Sequence, residues 1–145
     1  MTTRTINDLT DLTDRLVAAY NTADLDALAD CYAVDAVQTH PFFPQPNVGR
    51  DAIRAAEAGI FAGFSDIDWT VRLTVEQDDW CAIETVVGAT NTNDLTMPGG
   101  TVPATNRRVT LAILNLVRLD GEGRIAEERR YLDVASFMGQ LGLMG

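Results

Sequence analysis

The chain contains no lysine; all 11 of its basic residues are arginines. Without an amine at a fixed place there is no Schiff-base chemistry, no pyridoxal phosphate attachment and no Walker phosphate loop. Histidine and cysteine are scarce too. His40 stands alone, and Cys31 and Cys81 show no metal-ligand spacing. The two cysteines read as free buried thiols of a reducing compartment, with a bridge between them left open by sequence alone. Long apolar runs are also missing. None approaches the roughly 18 residues that span a bilayer, and the opening Met-Thr-Thr-Arg-Thr-Ile-Asn-Asp lacks the apolar core of a signal peptide. A cytoplasmic location and no membrane partner are expected.

Positive charge is in short supply. A formal net charge of −10 opposes a phosphate backbone, and the pairs Arg107-Arg108 and Arg129-Arg130 sit among acids, so a nucleic-acid partner is not expected. Nor is there a Gly-x-Ser-x-Gly elbow, a dinucleotide fingerprint or a Cys-His pair at useful spacing. What remains is cofactor-free and metal-free acid–base catalysis, or simple binding of a small hydrophobic ligand. What the chain does have is apolar mass. With 46% hydrophobic residues in 145, it makes one domain, residues 1–145, able to bury about 70% of the surface its unfolded form exposes.

Leu9, Leu12, Leu16, Val17 and Tyr20 follow helical spacing, and Asn21-Thr22-Ala23 breaks that helix. Asp24 suits the N-cap of a second, short helix carrying Leu25, Leu28 and Tyr32. The chain then runs extended to Pro41, and Phe42-Phe43-Pro44-Gln45-Pro46 forms an apolar loop. Gly49-Arg50-Asp51 opens a third helix with Ile53, Ala56, Ile60 and Phe61 on one face, closed by Gly63. From Ile67 the period becomes two, with Trp69, Val71, Leu73 and Val75 in one row and a turn at Asp78-Asp79. A strand from Trp80 to about Asn91, a loop with Pro98-Gly99-Gly100 and Pro103, and a long strand to Leu119 follow. Asp120 to Gly123 makes the last hairpin turn. Helices first and antiparallel strands after predict an α+β fold with the helices on one sheet face and a short C-terminal helix.

Several polar residues break the apolar rows. Asn115 interrupts Val109, Leu111, Ile113, Val117 and Leu119; it is either a satisfied core amide or a hydrogen-bond donor to a substrate oxygen. Glu84 shares a face with Trp80, Ala82 and Val86, and Arg118 or Arg129 is its expected partner. His40, before Pro41, has the side chain that titrates near neutrality and can serve as a base, although a lone histidine is more often structural. Asp133 closes the strand Arg124 to Asp133 just ahead of the apolar Val134 to Leu141, which reads as a covering helix. Buried there, its carboxyl acts as proton donor or acceptor; the alternative is a helix N-cap. Tyr131 and Arg129 share its strand face at about 7 and 13 Å, from a rise of roughly 3.3 Å per residue, and Arg130 projects from the other. The paired glutamates and arginines of this strand suit a salt-bridge network or a dimer surface.

Tyr20-Asn-Thr-Ala-Asp-Leu-Asp-Ala-Leu, Val48-Gly-Arg-Asp-Ala-Ile-Arg54, Pro103-Ala-Thr-Asn-Arg-Arg-Val109 and the stretch from Gly123 through Asp133 to Gly142 occur in an order that resembles the NTF2-like superfamily. Within it, the chain is similar to the SnoaL-like polyketide cyclases from about Leu9 to Leu141. The resemblance implies a cone of curved antiparallel sheet with three N-terminal helices on its concave face, an apolar pocket in the mouth and a homodimer behind the sheet. It places Asp133 at the acid–base aspartate of the cyclases. It also places His40 at the base of ketosteroid isomerases, and Asn115 where those isomerases keep an oxyanion donor and cyclases often a histidine. Limonene epoxide hydrolases carry Arg-x-Asp where this chain has Ile113-Leu-Asn115, which disfavours their chemistry.

The function so implied is a cofactor-independent cyclase that closes a ring in an aromatic polyketide ester by intramolecular aldol condensation. Asp133 protonates the accepting carbonyl, His40 helps remove the methylene proton and Asn115 holds the enolate oxygen. Tyr20, Tyr32, Phe42, Trp69, Trp80, Glu84 and Tyr131 line the substrate. The alternatives are an isomerase or dehydratase using His40, and a noncatalytic hydrophobic-ligand binder.

Overall fold

The computed structural model describes residues 6–144, with side chains from Leu9 onward. The expected lack of a leader concerns residues 1–8 and lies outside the described side chains. Helix α1 (Ile6–Thr22) buries Leu9, Leu12, Leu16 and Tyr20 of the stripe its spacing predicts; Val17 is half-buried, and Ala19 is buried as well. Ala23 turns the chain with φ 52°, and the Asp24 side chain accepts from the Ala27 N–H at 3.0 Å to start α2 (Leu25–Ala29). That helix is too short to carry Tyr32, which instead opens strand β1 (Tyr32–Thr39). After the brief β2 (Asn47–Val48), Gly49 takes φ 93°, open to glycine at little cost, and leads into α3 (Arg50–Ala62). Gly63 ends α3 in a right-handed conformation. A Cβ there would lie 2.9 Å from Leu95 Cδ1 and 3.3 Å from its Cβ, so the glycine lets the end of α3 pack closely on Leu95.

Strands β3 (Ser65–Gln77) and β4 (Trp80–Thr90) pair antiparallel. The expected loop after β4 holds a small hairpin, β5 (Leu95–Met97) with β6 (Gly100–Val102). Strands β7 (Arg108–Leu119) and β8 (Ile125–Leu132) follow, then α4 (Val134–Gln140). The main sheet runs β2-β1-β8-β7-β4-β3, antiparallel except that β1 lies parallel to β8. This mixed, curved sheet with its helices is the α+β fold expected. Gln140 fastens α4 to the sheet: its side-chain amide accepts from the Thr110 N–H at 2.7 Å and donates to the Thr110 carbonyl at 3.0 Å.

Two register shifts decide which side chains face inward. In β3, Val71 pairs with Thr85 but Leu73 with Glu84, so Arg72 is an extra residue. Leu73 and Val75, expected inward with Trp69, turn out and are 56% and 55% exposed. In β8, Leu119 pairs with Ile125 but Arg118 with Glu127, which makes Ala126 the extra residue. Beyond it the inward row is Glu128, Arg130 and Leu132, and the outward row is Arg129, Tyr131 and Asp133.

Candidate functional site

The inner sheet face and the helices enclose a cavity of about 90 Å³. One water needs roughly 10–15 Å³ to enter, so the cavity has room for several waters, or the reacting end of a small ligand. Its walls are apolar: Phe61 and Phe64 near the end of α3, Trp69, Val87, Leu111 and Ile113 from the sheet, Phe137 from α4 and Phe42 from the loop after β1. Asn21 sets Trp69 in place, accepting from its N–H at 2.7 Å and donating to its carbonyl at 3.1 Å. Trp69 in turn stacks on Tyr20, centroids 4.6 Å apart, and Phe61 meets that phenol edge-on at 5.5 Å.

The polar lining consists of Tyr20, His40, Asn115 and Arg130. Behind it lies a buried network centred on Arg130, which is 8% exposed. Its Nη2 donates to Glu57 Oε1 at 2.7 Å, Glu128 Oε2 at 3.1 Å and Tyr20 Oη at 2.9 Å, and its Nε to Asn115 Oδ1 at 3.2 Å. Gln38, wholly buried, donates to both carboxylates, at 3.1 Å to Glu57 and 2.9 Å to Glu128. Tyr32 donates to Glu128 at 2.6 Å and Tyr20 to Glu57 at 3.4 Å. Asn115 donates to Thr85 Oγ1 at 3.3 Å, and that hydroxyl donates to the Ile113 carbonyl at 3.1 Å.

Burial alone would lower the Arg130 pKa, but Glu128 and Glu57 outweigh it and hold the guanidinium charged. Burial raises the Tyr20 and Tyr32 phenols well above their ordinary value, so both stay protonated donors. His40 is driven down to about 2, by burial first and then by the Arg130 charge. Its Nδ1 accepts from the Phe42 N–H at 3.1 Å, which places the proton of the neutral ring on Nε2. The expected base is therefore a neutral N–H donor with its lone pair occupied. Burial raises the Cys31 thiol to about 11, and it is no nucleophile. Cys31 and Cys81 are buried and not joined by a disulfide.

Of the residues expected at the site, Tyr20, His40, Phe42, Trp69 and Asn115 meet at the cavity. Tyr32 is buried beneath it, in the network rather than in the wall. Trp80, Glu84 and Tyr131 lie on the outer sheet face. Trp80 carries the Arg129 guanidinium 5.0 Å from its ring, Glu84 is 4.0 Å from Arg72 instead of Arg118 or Arg129, and Tyr131 is 53% exposed. Asp133 is exposed and caps α4, its Oδ1 accepting from the Ser136 N–H at 2.9 Å. The shift at Ala126 turned it away from the cavity, and Arg130, expected outward, took the inward place.

Arg130, Glu57, Glu128 and Gln38 were missed. Two of them left a signal. Glu57 falls at the fourth place after Ile53 in a stripe with Ala56 and Ile60, a charge in an apolar row. Gln38 sits two before His40 on an alternating strand. Among the described residues no group of three or more His, Cys, Asp or Glu side chains could hold a metal ion, and no helix is long and apolar enough to cross a membrane.

The sequence matches the SnoaL-like polyketide cyclase family over residues 10–141. No curated protein matches it. Among solved structures, TsrD from Streptomyces laurentii superposes with a TM-score of 0.83 at 20% identity, over 98% of this chain and 100% of that one. IdmH from Streptomyces antibioticus gives 0.73 at 28% identity, over 92% and 97% of the two chains. An LEH-like epoxide hydrolase from M. tuberculosis gives 0.68 at 15%, over 94% and 91%. At this level the likeness is one of fold.

Proposed function

The chain belongs to the SnoaL-like polyketide cyclase family, and on that premise we propose that its cavity closes a ring in an aromatic polyketide ester by intramolecular aldol condensation, without a cofactor, as a step of antibiotic biosynthesis. The observation that carries this reading is an apolar cavity whose polar lining gathers Tyr20, His40, Asn115 and Arg130 at one place. IdmH, of the same fold, is itself a candidate polyketide cyclase. The walls fold the reacting side chain so that its two carbons meet, which supplies much of the rate. His40 Nε2–H polarises the accepting carbonyl as a neutral donor, and Asn115 positions Arg130.

The proton work expected of Asp133 falls to Tyr20 and Glu57. Tyr20 is the cavity-lining hydroxyl that donates to a carboxylate, Glu57 at 3.4 Å. As the α-carbon releases its proton to the Tyr20 oxygen, the phenol proton passes to Glu57. It returns by the same path to the alkoxide formed at the accepting carbon, so the ring-closing addition keeps the new hydroxyl and is an isomerisation with no proton or water gained or lost. Following ring closure of an aryl ester bearing a β-ketoacyl side chain by absorbance tests this. Tyr20→Phe should cost about 100-fold or more in kcat, and an unchanged kcat would remove the relay. A binding-only protein is the second reading, favoured by the lack of any carboxylate among the cavity-lining residues; ligand binding that saturates with no turnover would establish it.

The outer sheet face is read as the contact between two copies of the chain. Leu73, Val75, Leu114 and Tyr131 stand exposed there, flanked by Arg72, Glu84, Glu127 and Arg129. Leu114→Glu should convert a dimer to a monomer in sedimentation; a wild-type monomer at high concentration ends this reading.

A further inference from the structure

The head of Arg130 is not fully used. Nε serves Asn115, and Nη2 serves Tyr20, Glu57 and Glu128. No acceptor among the described residues bonds to Nη1, although the side chain is nine-tenths buried and lines the cavity. A buried donor left unmade costs free energy, and at a cavity wall the partner is water or, displacing it, an acceptor atom of a ligand. His40 presents a second donor of the same kind, since its Nδ1 is taken by the Phe42 N–H and its proton sits on Nε2. The floor thus asks for an acceptor.

Charge narrows the acceptor. Glu57 and Glu128 both draw on the one guanidinium, and each also accepts from Gln38 and a tyrosine. With one arginine serving two carboxyl groups, the buried network has no cation to spare for a further anion. A carboxylate ligand would satisfy both donors but add a further negative charge in apolar surroundings, where like charges repel strongly. An ammonium ligand would set donor against donor at Arg130 Nη1 and His40 Nε2, beside the Arg130 cation. A neutral carbonyl meets neither objection.

We propose that the cavity floor is a seat for one neutral acceptor oxygen, a ketone-like or amide-like carbonyl held by Arg130 Nη1 and His40 Nε2, and that the buried carboxylates behind it exclude carboxylate ligands. Glu57 and Glu128 are then specificity-determining groups, acting through Arg130 without touching the ligand. This rests on the reading of the cavity as a small-molecule site and adds to it which functional group enters first.

Isothermal titration of the unaltered protein with acetophenone, ethylbenzene and benzoate at about pH 8 tests the seat with three probes of like size. Acetophenone should bind about tenfold or more tightly than ethylbenzene, the value of one charge-assisted hydrogen bond, and than benzoate. Ethylbenzene equal to acetophenone overturns the donor seat, and benzoate equal to or better than acetophenone overturns the exclusion; in both cases the cavity still stands as a site. Binding by none of the three overturns this inference and the proposed function together. Arg130→Lys keeps a cation against the two carboxylates and removes Nη1. In that variant, folded by circular dichroism, the acetophenone preference should fall toward one, and an unchanged preference assigns the seat elsewhere. If the variant does not fold, the wild-type ratios decide alone.

Discussion

Strand β8 carries the same ion pair twice, once on each face. Glu127 and Arg129 meet at 2.9 Å on the outer face; Glu128 and Arg130 meet at 3.1 Å on the inner. Spacing, residue types and distance are nearly alike. The outer arginine also reaches over Trp80 and remains in water, where such a pair contributes little. The inner one is locked by Tyr20, Asn115 and Glu57, and its loss strands two carboxylates. Identical chemistry is decoration on one side of a strand and the organising group of a cavity on the other.

Replacing each arginine in turn separates the two faces most clearly. Arg130→Met should cost about 3–5 kcal/mol in a denaturant titration, the usual consequence of uncovering a buried charge, whereas Arg129→Met should leave the midpoint nearly where it was. Equal effects would mean that the two faces do not differ as described. A smaller effect comes from His40. Its pKa in the folded protein is about 2 against 6.5 for the free side chain. The unfolded chain therefore binds the extra proton between those values. His40 costs nothing above pH 6.5 and destabilises progressively as pH falls below it, by about 2–3 kcal/mol two units lower. His40→Asn should remove this part of the acid sensitivity, and an unchanged stability–pH curve would contradict it. Smallest is Asp133→Ala, which removes the α4 cap. A loss of about 1 kcal/mol is expected, with acetophenone affinity unaltered; lost affinity would return Asp133 to the site.

Much of the fold was legible because its elements repeat a period. The α1 stripe, the α3 face and the β7 row from Val109 to Leu119 all fall where spacing put them. The site was half legible. Aromatic walls and Asn115 lie on such rows, but β8 did not announce which side faces in. Glu127-Glu128-Arg129-Arg130 reads alike from either face, and one extra residue at Ala126 reverses all that follows. A clue lay in the strand's apolar ends. Ile125 and Leu132 are an odd number of residues apart, so both can be inward only if a bulge lies between them. The short α2 and the β5–β6 hairpin depend on neighbours far along the chain, and local propensity says little about those.

Gln140 has a consequence beyond holding a helix. Strand β8 ends its pairing with β7 at Leu132 opposite Ile113, so the start of β7 is left without a strand on that side. Bare backbone of this kind invites a strand from another molecule. One amide, bonded to both backbone groups of Thr110, occupies the place such an intruder would take. The grip that seats α4 over the cavity thereby also guards the protein against edge-to-edge association.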